Sequence, residues 1–163
     1  MRQAAVYPGT FDPITNGHLD IIERGADIFK TLTVAVARND RKRPLIPFEE
    51  RIAMIEKSTS HLPNVKVEGF SNLLIDYLAK KEIKHVIRGL RAISDFEYEL
   101  QLALMNRQLS PEVETLFLMP RQEYIFLSSN IVREIGQMRG DYRKFVPEAV
   151  FDDIDTFFTR PPV

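Results

Sequence analysis

Four short segments of the chain carry residue types suited to phosphate chemistry. The first is Pro8-Gly9-Thr10-Phe11-Asp12-Pro13-Ile14-Thr15-Asn16-Gly17-His18, which runs into a helical stretch. Gly9 and Gly17 let backbone approach a ligand closely, and a helix start offers free N–H groups to an anion. No Gly-Lys-Ser/Thr follows, so this is not a Walker loop, and it has no GxGxxG fingerprint. Taken alone it also reads as a tight turn with a capping histidine, whose cationic form the helix dipole disfavours. The second segment, Arg38-Asn39-Asp40-Arg41-Lys42-Arg43-Pro44, is by itself most simply a solvated charged loop. In the third, Arg88-Gly89-Leu90-Arg91, two arginines around a glycine can hold phosphates bidentately, and Asp95-Phe96-Glu97-Tyr98-Glu99 follows. The fourth, Ser128-Ser129-Asn130, has Arg133 and Glu134 one turn on, and its residue types also favour a plain helix N-cap. His61 and His85 lack such a loop and read as structural.

The elements that must position these segments follow from periodicity. Short β-branched runs at 4–7, 32–37, 65–68, 85–87 and 115–119 are bounded by breakers such as Pro8-Gly9, Pro63-Asn64 and Pro120. Between them the period changes to that of a helix. Leu19, Ile22, Ala26 and Phe29 build one apolar face, and Phe48, Ile52, Ile55 and Thr59 mark a second helix with Pro47 in its first turn. Further helices are expected over 72–81, 95–109, 128–138 (closed by Gly140) and 147–158. The order βαβαβαβαβαα calls for an α/β fold: a Rossmann-like, doubly wound five-stranded parallel sheet with helices on both faces and right-handed crossovers. Such sheets bind ligands beyond the carboxyl ends of their strands. The four segments follow strands one, two, four and five, on one edge, which makes four independent bland readings a poor account.

Composition narrows the function classes. The chain has 163 residues, with 22 Lys plus Arg against 23 Asp plus Glu, a net charge of −1. That lacks the global basic field of a non-specific nucleic-acid binder. With 44% hydrophobic and 28% charged residues the composition is that of a folded globular domain. The absence of cysteine excludes disulfides, thiolate metal sites and cysteine nucleophiles. No signal-peptide pattern opens the chain and no apolar run approaches a membrane span. The expectation is one soluble, cytoplasmic domain over 1–163, frayed at Pro161-Pro162.

Taken together, YPGTFDPITNGH, the Lys42 loop, RGLRAISDFEYELQLALMNR and FLSSNIVREI closely resemble bacterial phosphopantetheine adenylyltransferases, nearly end to end. The Thr15-Asn16-Gly17-His18 element marks the wider nucleotidyltransferase superfamily, whereas RGLRAISDFEYE is more specific to the phosphopantetheine branch. The resemblance implies transfer of AMP from ATP to 4′-phosphopantetheine, giving dephospho-coenzyme A and pyrophosphate, a step of coenzyme A biosynthesis. The acceptor phosphate loses its second proton near pH 6, so it arrives largely ionised and needs no strong general base. Positioning of two polyanions and neutralisation of transferring charge remain.

By that resemblance His18 stabilises the transition state, with bound polyphosphate offsetting the bias against a charged imidazole, and Lys42, Arg88 and Arg91 supply further charge. Thr10 touches both substrates, Lys42 and Arg88 orient the acceptor phosphate, and Leu74 makes a further acceptor contact. Phe11, Gly89, Leu90, Arg91 and Glu99 fall at ATP-contacting positions, as do Tyr124, Ile125, Phe126, Leu127, Ser128, Ser129 and Asn130. Mg²⁺ is expected with ATP, held by phosphate and water with no protein ligand named. A homohexamer and feedback inhibition by coenzyme A are also implied. Asn130 departs from the Ser or Thr common in the family. Two rivals stand beside this reading: a nucleotidyltransferase of the same superfamily with another phosphorylated acceptor, and a non-catalytic nucleotide- or RNA-binding module using the Arg38–Arg43 loop.

Overall fold

The computed structural model describes residues 3–38, 43–91 and 93–158. Five parallel strands, β1 (Ala4–Gly9), β2 (Thr31–Ala37), β3 (Val65–Phe70), β4 (His85–Gly89) and β5 (Glu114–Leu118), form one sheet in the order β3-β2-β1-β4-β5. Ala5 pairs with Leu32 on one side and with His85 on the other, so β1 lies at the centre. The interior of β1 and β2 is buried, as expected of strands covered on both faces. The edge strand β3 instead exposes Lys66, which discourages pairing with another edge.

The helices are α1 (Asn16–Ile28), α2 (Phe48–Ser58), α3 (Leu74–Lys81), α4 (Ile93–Leu109), α5 (Ser129–Gln137) and α6 (Phe151–Phe158). The element order is the one read from periodicity. The period-two alternation of the strands sends their side chains into two cores. On one face Ile21 and Ile22 of α1, Met54 and Ile55 of α2, Val132 of α5 and Ile154 of α6 pack with Leu32, Val34, Val36 and Ile87. On the other, Tyr77 and Leu78 of α3 cover Val6, Ala35 and Val86. Each fully buried aliphatic side chain is worth roughly 1.5–3 kcal/mol over its exposed state, so the larger core dominates stability. A Cβ at Gly25 would stand 2.9 Å from Ile87 Cδ1 and 3.0 Å from Leu32 Cδ2, so this glycine lets α1 lie close on the sheet. By contrast α4 is thinly covered. Its Phe96 ring meets Phe117 of β5 at 6.5 Å, but Tyr98, Leu104, Met105 and Leu109 are exposed.

Several boundaries differ from the sequence reading. Pro47 is the N-cap of α2 and not part of its first turn, and α3 starts at Leu74 rather than 72. The segment 147–158 is two pieces, a 3₁₀ turn (Glu148–Val150) and α6. After α5 the left-handed residue is Arg139, with φ 60°, while Gly140 donates its N–H to the Ile135 carbonyl at 2.8 Å. The frayed end expected at Pro161-Pro162 lies outside the described residues.

Candidate active site

β1 and β4 are neighbours whose following helices cover opposite faces: α1 packs in the first core, whereas Phe96 of α4 meets Phe117 of β5, whose neighbours Leu116 and Leu118 face that first core. A crevice opens between the two strands at the carboxyl edge of the sheet. A cavity there is lined from all four segments singled out in the sequence: Thr10 and His18 after β1, Pro44 after β2, Arg88 and Arg91 at β4, and Ser128 to Asn130 at the start of α5.

His18 occupies the third position of α1, where it closes a capping box. The Thr15 hydroxyl accepts from the His18 amide at 3.3 Å, and the Thr15 amide donates to His18 Nδ1 at 3.1 Å. Because Nδ1 accepts a backbone N–H, the ring proton sits on Nε2. Burial, and then the guanidinium groups of Arg91 and Arg88, push the His18 pKa down to about 3. The imidazole is therefore a neutral donor, and a proton on Nδ1 would break the capping bond. Phe11 stacks edge-on against it, with centroids 5.1 Å apart, from a left-handed backbone at φ 51°. A Cβ on Gly9 would lie 2.8 Å from that ring, so Gly9 makes room for Phe11 rather than for ligand.

Opposite stands Arg88. Its Nε and Nη2 both donate to the Glu99 carboxylate at 2.6 Å, and its Nη1 donates to the Pro8 carbonyl at 2.9 Å. Its remaining N–H groups are left for an anion. Arg91 donates to the Leu127 carbonyl at 2.8 Å, linking the β4 loop to the approach of α5. Tyr7 lies beneath, its pKa raised to about 12 by burial against the pull of Arg88 and Arg91, so its hydroxyl stays neutral. At the start of α5 the Ser128 hydroxyl caps the Ile131 amide, as its type predicts, and the Ser129 hydroxyl donates to the Pro13 carbonyl at 2.7 Å. Asn130 accepts from Arg133 through its side-chain oxygen.

A sequence model of the cytidylyltransferase-like family matches residues 6–135. The phosphopantetheine adenylyltransferase of Legionella pneumophila strain Lens is 54% identical over 94% of this chain and 91% of its own length. That of Alkaliphilus metalliredigens strain QYMF is 52% identical over 91% of this chain and 94% of its own. The chain belongs to the phosphopantetheine adenylyltransferase family. Its fold is also that of more distant structures. One titled a putative nicotinate-nucleotide adenylyltransferase from Vibrio parahaemolyticus has a TM-score of 0.74 at 12% identity, covering 98% of both chains. A bifunctional NMN adenylyltransferase/ADP ribose pyrophosphatase from Francisella tularensis has a TM-score of 0.76 at 16% identity, covering 98% of this chain and 51% of that one.

Of the residues that resemblance to phosphopantetheine adenylyltransferases picks out, Thr10, Phe11, His18, Arg88, Gly89, Arg91, Glu99, Leu127, Ser128, Ser129 and Asn130 line one cavity. Lys42 lies outside the described residues. Leu74 starts α3 and packs beside the second core, beyond the cavity. Leu90 gives its amide to the Leu118 carbonyl, Tyr124 packs on the first core, Ile125 is half-buried and Phe126 is 82% exposed, all outside the cavity lining. His61 meets Glu23 at the surface, and His85 meets the Ala4 carbonyl, in keeping with structural roles. Sequence reasoning gave no role to Asp12, Arg133 or Arg51, all of which bind the walls of this site. The available signals were an acidic residue inside a phosphate-compatible loop, and an arginine three places from Phe48 on the apolar side of α2.

Proposed function

We propose that this chain transfers AMP from ATP to 4′-phosphopantetheine, releasing pyrophosphate and dephospho-coenzyme A. The observation that carries the reading is a neutral imidazole, fixed with Nε2 as its donor, at a crevice shared with two arginines and a helix start. The acceptor phosphate oxygen attacks the α-phosphorus in line as pyrophosphate leaves, and the resulting charge shift needs donors already in place. His18 donates from Nε2 to the α-phosphate. No proton leaves the imidazole, and no base is needed for a phosphate already ionised.

Arg88 and Lys42 hold the acceptor phosphate, Lys42 by resemblance alone. Arg91 and the start of α5 take the ATP phosphates, favoured by the helix dipole. Mg²⁺ accompanies ATP and screens its phosphates. The cavity carboxylates Asp12 and Glu99 are both committed to other donors, which fits a metal held by phosphate oxygens and water. Among the described residues no group of three or more His, Asp or Glu is placed to hold a metal, and no helix is long and apolar enough to cross a membrane. The reading includes a cytoplasmic location, a homohexamer and coenzyme A as an inhibitory ligand of the same crevice. The exposed apolar side chains of α4 support self-association.

The direct test is pyrophosphate release with ATP, Mg²⁺ and 4′-phosphopantetheine beside a panel of other phosphorylated acceptors. Turnover with 4′-phosphopantetheine alone is expected. Turnover only with another acceptor, or salt-sensitive RNA binding without any turnover, overturns the reading.

A further inference from the structure

Two buried ions outside the transfer chemistry join the loop after β1 to the chain that follows β2. Asp12 is 4% exposed, and its two carboxylate oxygens accept the amides of Leu45 and Ile46 at 2.9 and 2.8 Å. Arg133 of α5 reaches the same carboxylate at 3.1 Å, donates to the Asp12 carbonyl, and also holds the side-chain oxygen of Asn130. Arg51 of α2 is 1% exposed. It donates from Nε to the Ile46 carbonyl at 3.1 Å, and from Nη1 to the Ala37 carbonyl at 3.3 Å and the Thr10 carbonyl. One guanidinium therefore ties the carbonyls of Ala37 at the end of β2 and of Ile46 to that of Thr10, while one carboxylate ties Leu45 and Ile46 to α5.

We propose that Asp12 and Arg51 are positioning residues that set the register between the loop after β1 and the chain after β2, and so align acceptor phosphate with ATP. This rests on the functional reading above, in which those two loops serve the two substrates. In-line displacement requires the attacking oxygen and the α-phosphorus to meet in a narrow geometry, whereas each substrate alone tolerates a shifted wall. Buried charged groups bonded to backbone on both sides transmit position with little slack. An amide at position 12 can accept one of the two N–H groups only by turning its own NH₂ towards the other or towards Arg133.

The experiment compares Asp12→Asn and Arg51→Lys with the parent in the full chain. Calorimetry gives the Kd and stoichiometry for ATP and for 4′-phosphopantetheine singly, and pyrophosphate release gives kcat with both saturating. A displacement of about an ångström costs on the order of a hundredfold in rate, so kcat of Asp12→Asn is expected to fall by about that factor. Each Kd should stay within roughly threefold, and Arg51→Lys, with fewer donors, should fall by about tenfold. A kcat within twofold of the parent overturns the proposal. So does a kcat loss matched by an equal loss of binding stoichiometry, which is the mark of a merely destabilised chain. If Asp12→Asn yields no folded protein, Arg51→Lys decides by the same criteria. A parent that releases no pyrophosphate from this substrate pair overturns the functional reading and the register proposal with it, whereas an active parent with unaffected variants overturns the register alone.

Discussion

On the wall of the crevice built from the loop after β1, Thr10, Asp12 and His18 are tied to backbone amides, carbonyls and buried ions. On the wall built from β4 and α4, Arg88 is held chiefly by one side chain, Glu99, in a pair whose side chains are 24% and 12% exposed. A backbone bond to a loop cannot be exchanged without moving the loop. A guanidinium held by a side-chain carboxylate keeps further N–H groups for a second anion. On the proposed function, the first wall is thus set by bonds within the fold, while the second offers phosphate the Arg88 N–H groups that Glu99 and Pro8 leave. Removing a group from the first should damage the chemical step, and removing one from the second should damage binding.

The sharpest way to break that contrast is His18→Ala. Loss of one pre-positioned donor is expected to lower kcat by on the order of a hundredfold or more, with ATP affinity changed far less. Steady-state kinetics beside calorimetry measure both, and near-normal turnover would end the assignment. Next in size, Arg88→Ala should raise the KM for 4′-phosphopantetheine by about tenfold or more and leave ATP binding nearly intact. Arg88→Lys should also be harmful, since an ammonium cannot reproduce the guanidinium fork that grips Glu99 through two nitrogens. Lys42→Ala should move the same parameter. Unchanged acceptor kinetics in both alanine variants would return residues 38–43 to a solvated surface loop. Smaller again is Glu99→Gln. It weakens the grip on Arg88 without emptying the space, and a change of a few-fold confined to KM would confirm that this wall works through binding.

Proton titration separates the walls in another way. The folded pKa of His18 lies at about 3, below its ordinary 6.5, through burial and the two arginines. Between those values the unfolded chain binds the extra proton, so folding stability falls as pH drops from about 6.5 towards 3. Ring nitrogen NMR should report a neutral Nε2–H imidazole at pH 5. The acid limb of turnover should follow the acceptor phosphate, near pH 6, and not His18. A His18 resonance that titrates near 6.5 would contradict the fixed-donor account. The smallest effects belong to Asn130. Asn130→Ser is expected to keep most activity, and Asn130→Leu to raise the KM for ATP a few-fold. If Asn130→Leu matches the parent, residue 130 is only a helix-start residue held by Arg133.

Where a residue's role follows from its own type and spacing, the sequence was a good guide. The changes of period laid out the five strands and six α-helices of the described residues, and the segments after strands one, four and five meet at one crevice, joined there by Pro44 from the segment after strand two. What escaped notice depends on partners distant in the chain. Arg51 lies three residues from Phe48 on the buried side of α2, and hydropathy marks an arginine as surface. Asp12 finds its amide partners more than thirty residues away. The pairing of Glu99 with Arg88 joins two positions that the family resemblance assigns to different substrates. Gly140 misled by one place, since Arg139 takes the left-handed turn itself.

The capping box at Thr15 and His18 has a consequence for engineering. A third-position side chain that reaches back to the cap is ordinarily Glu or Gln, and a carboxylate there also suits the positive helix end. A library ranked on heat resistance alone would therefore accept Glu at position 18 and place a negative charge opposite Arg88 and Arg91. Melting temperature and turnover would then move in opposite directions at a single residue. Position 18 is one to hold fixed in any stabilisation campaign, because the assay that most easily scores the helix start cannot see the reaction.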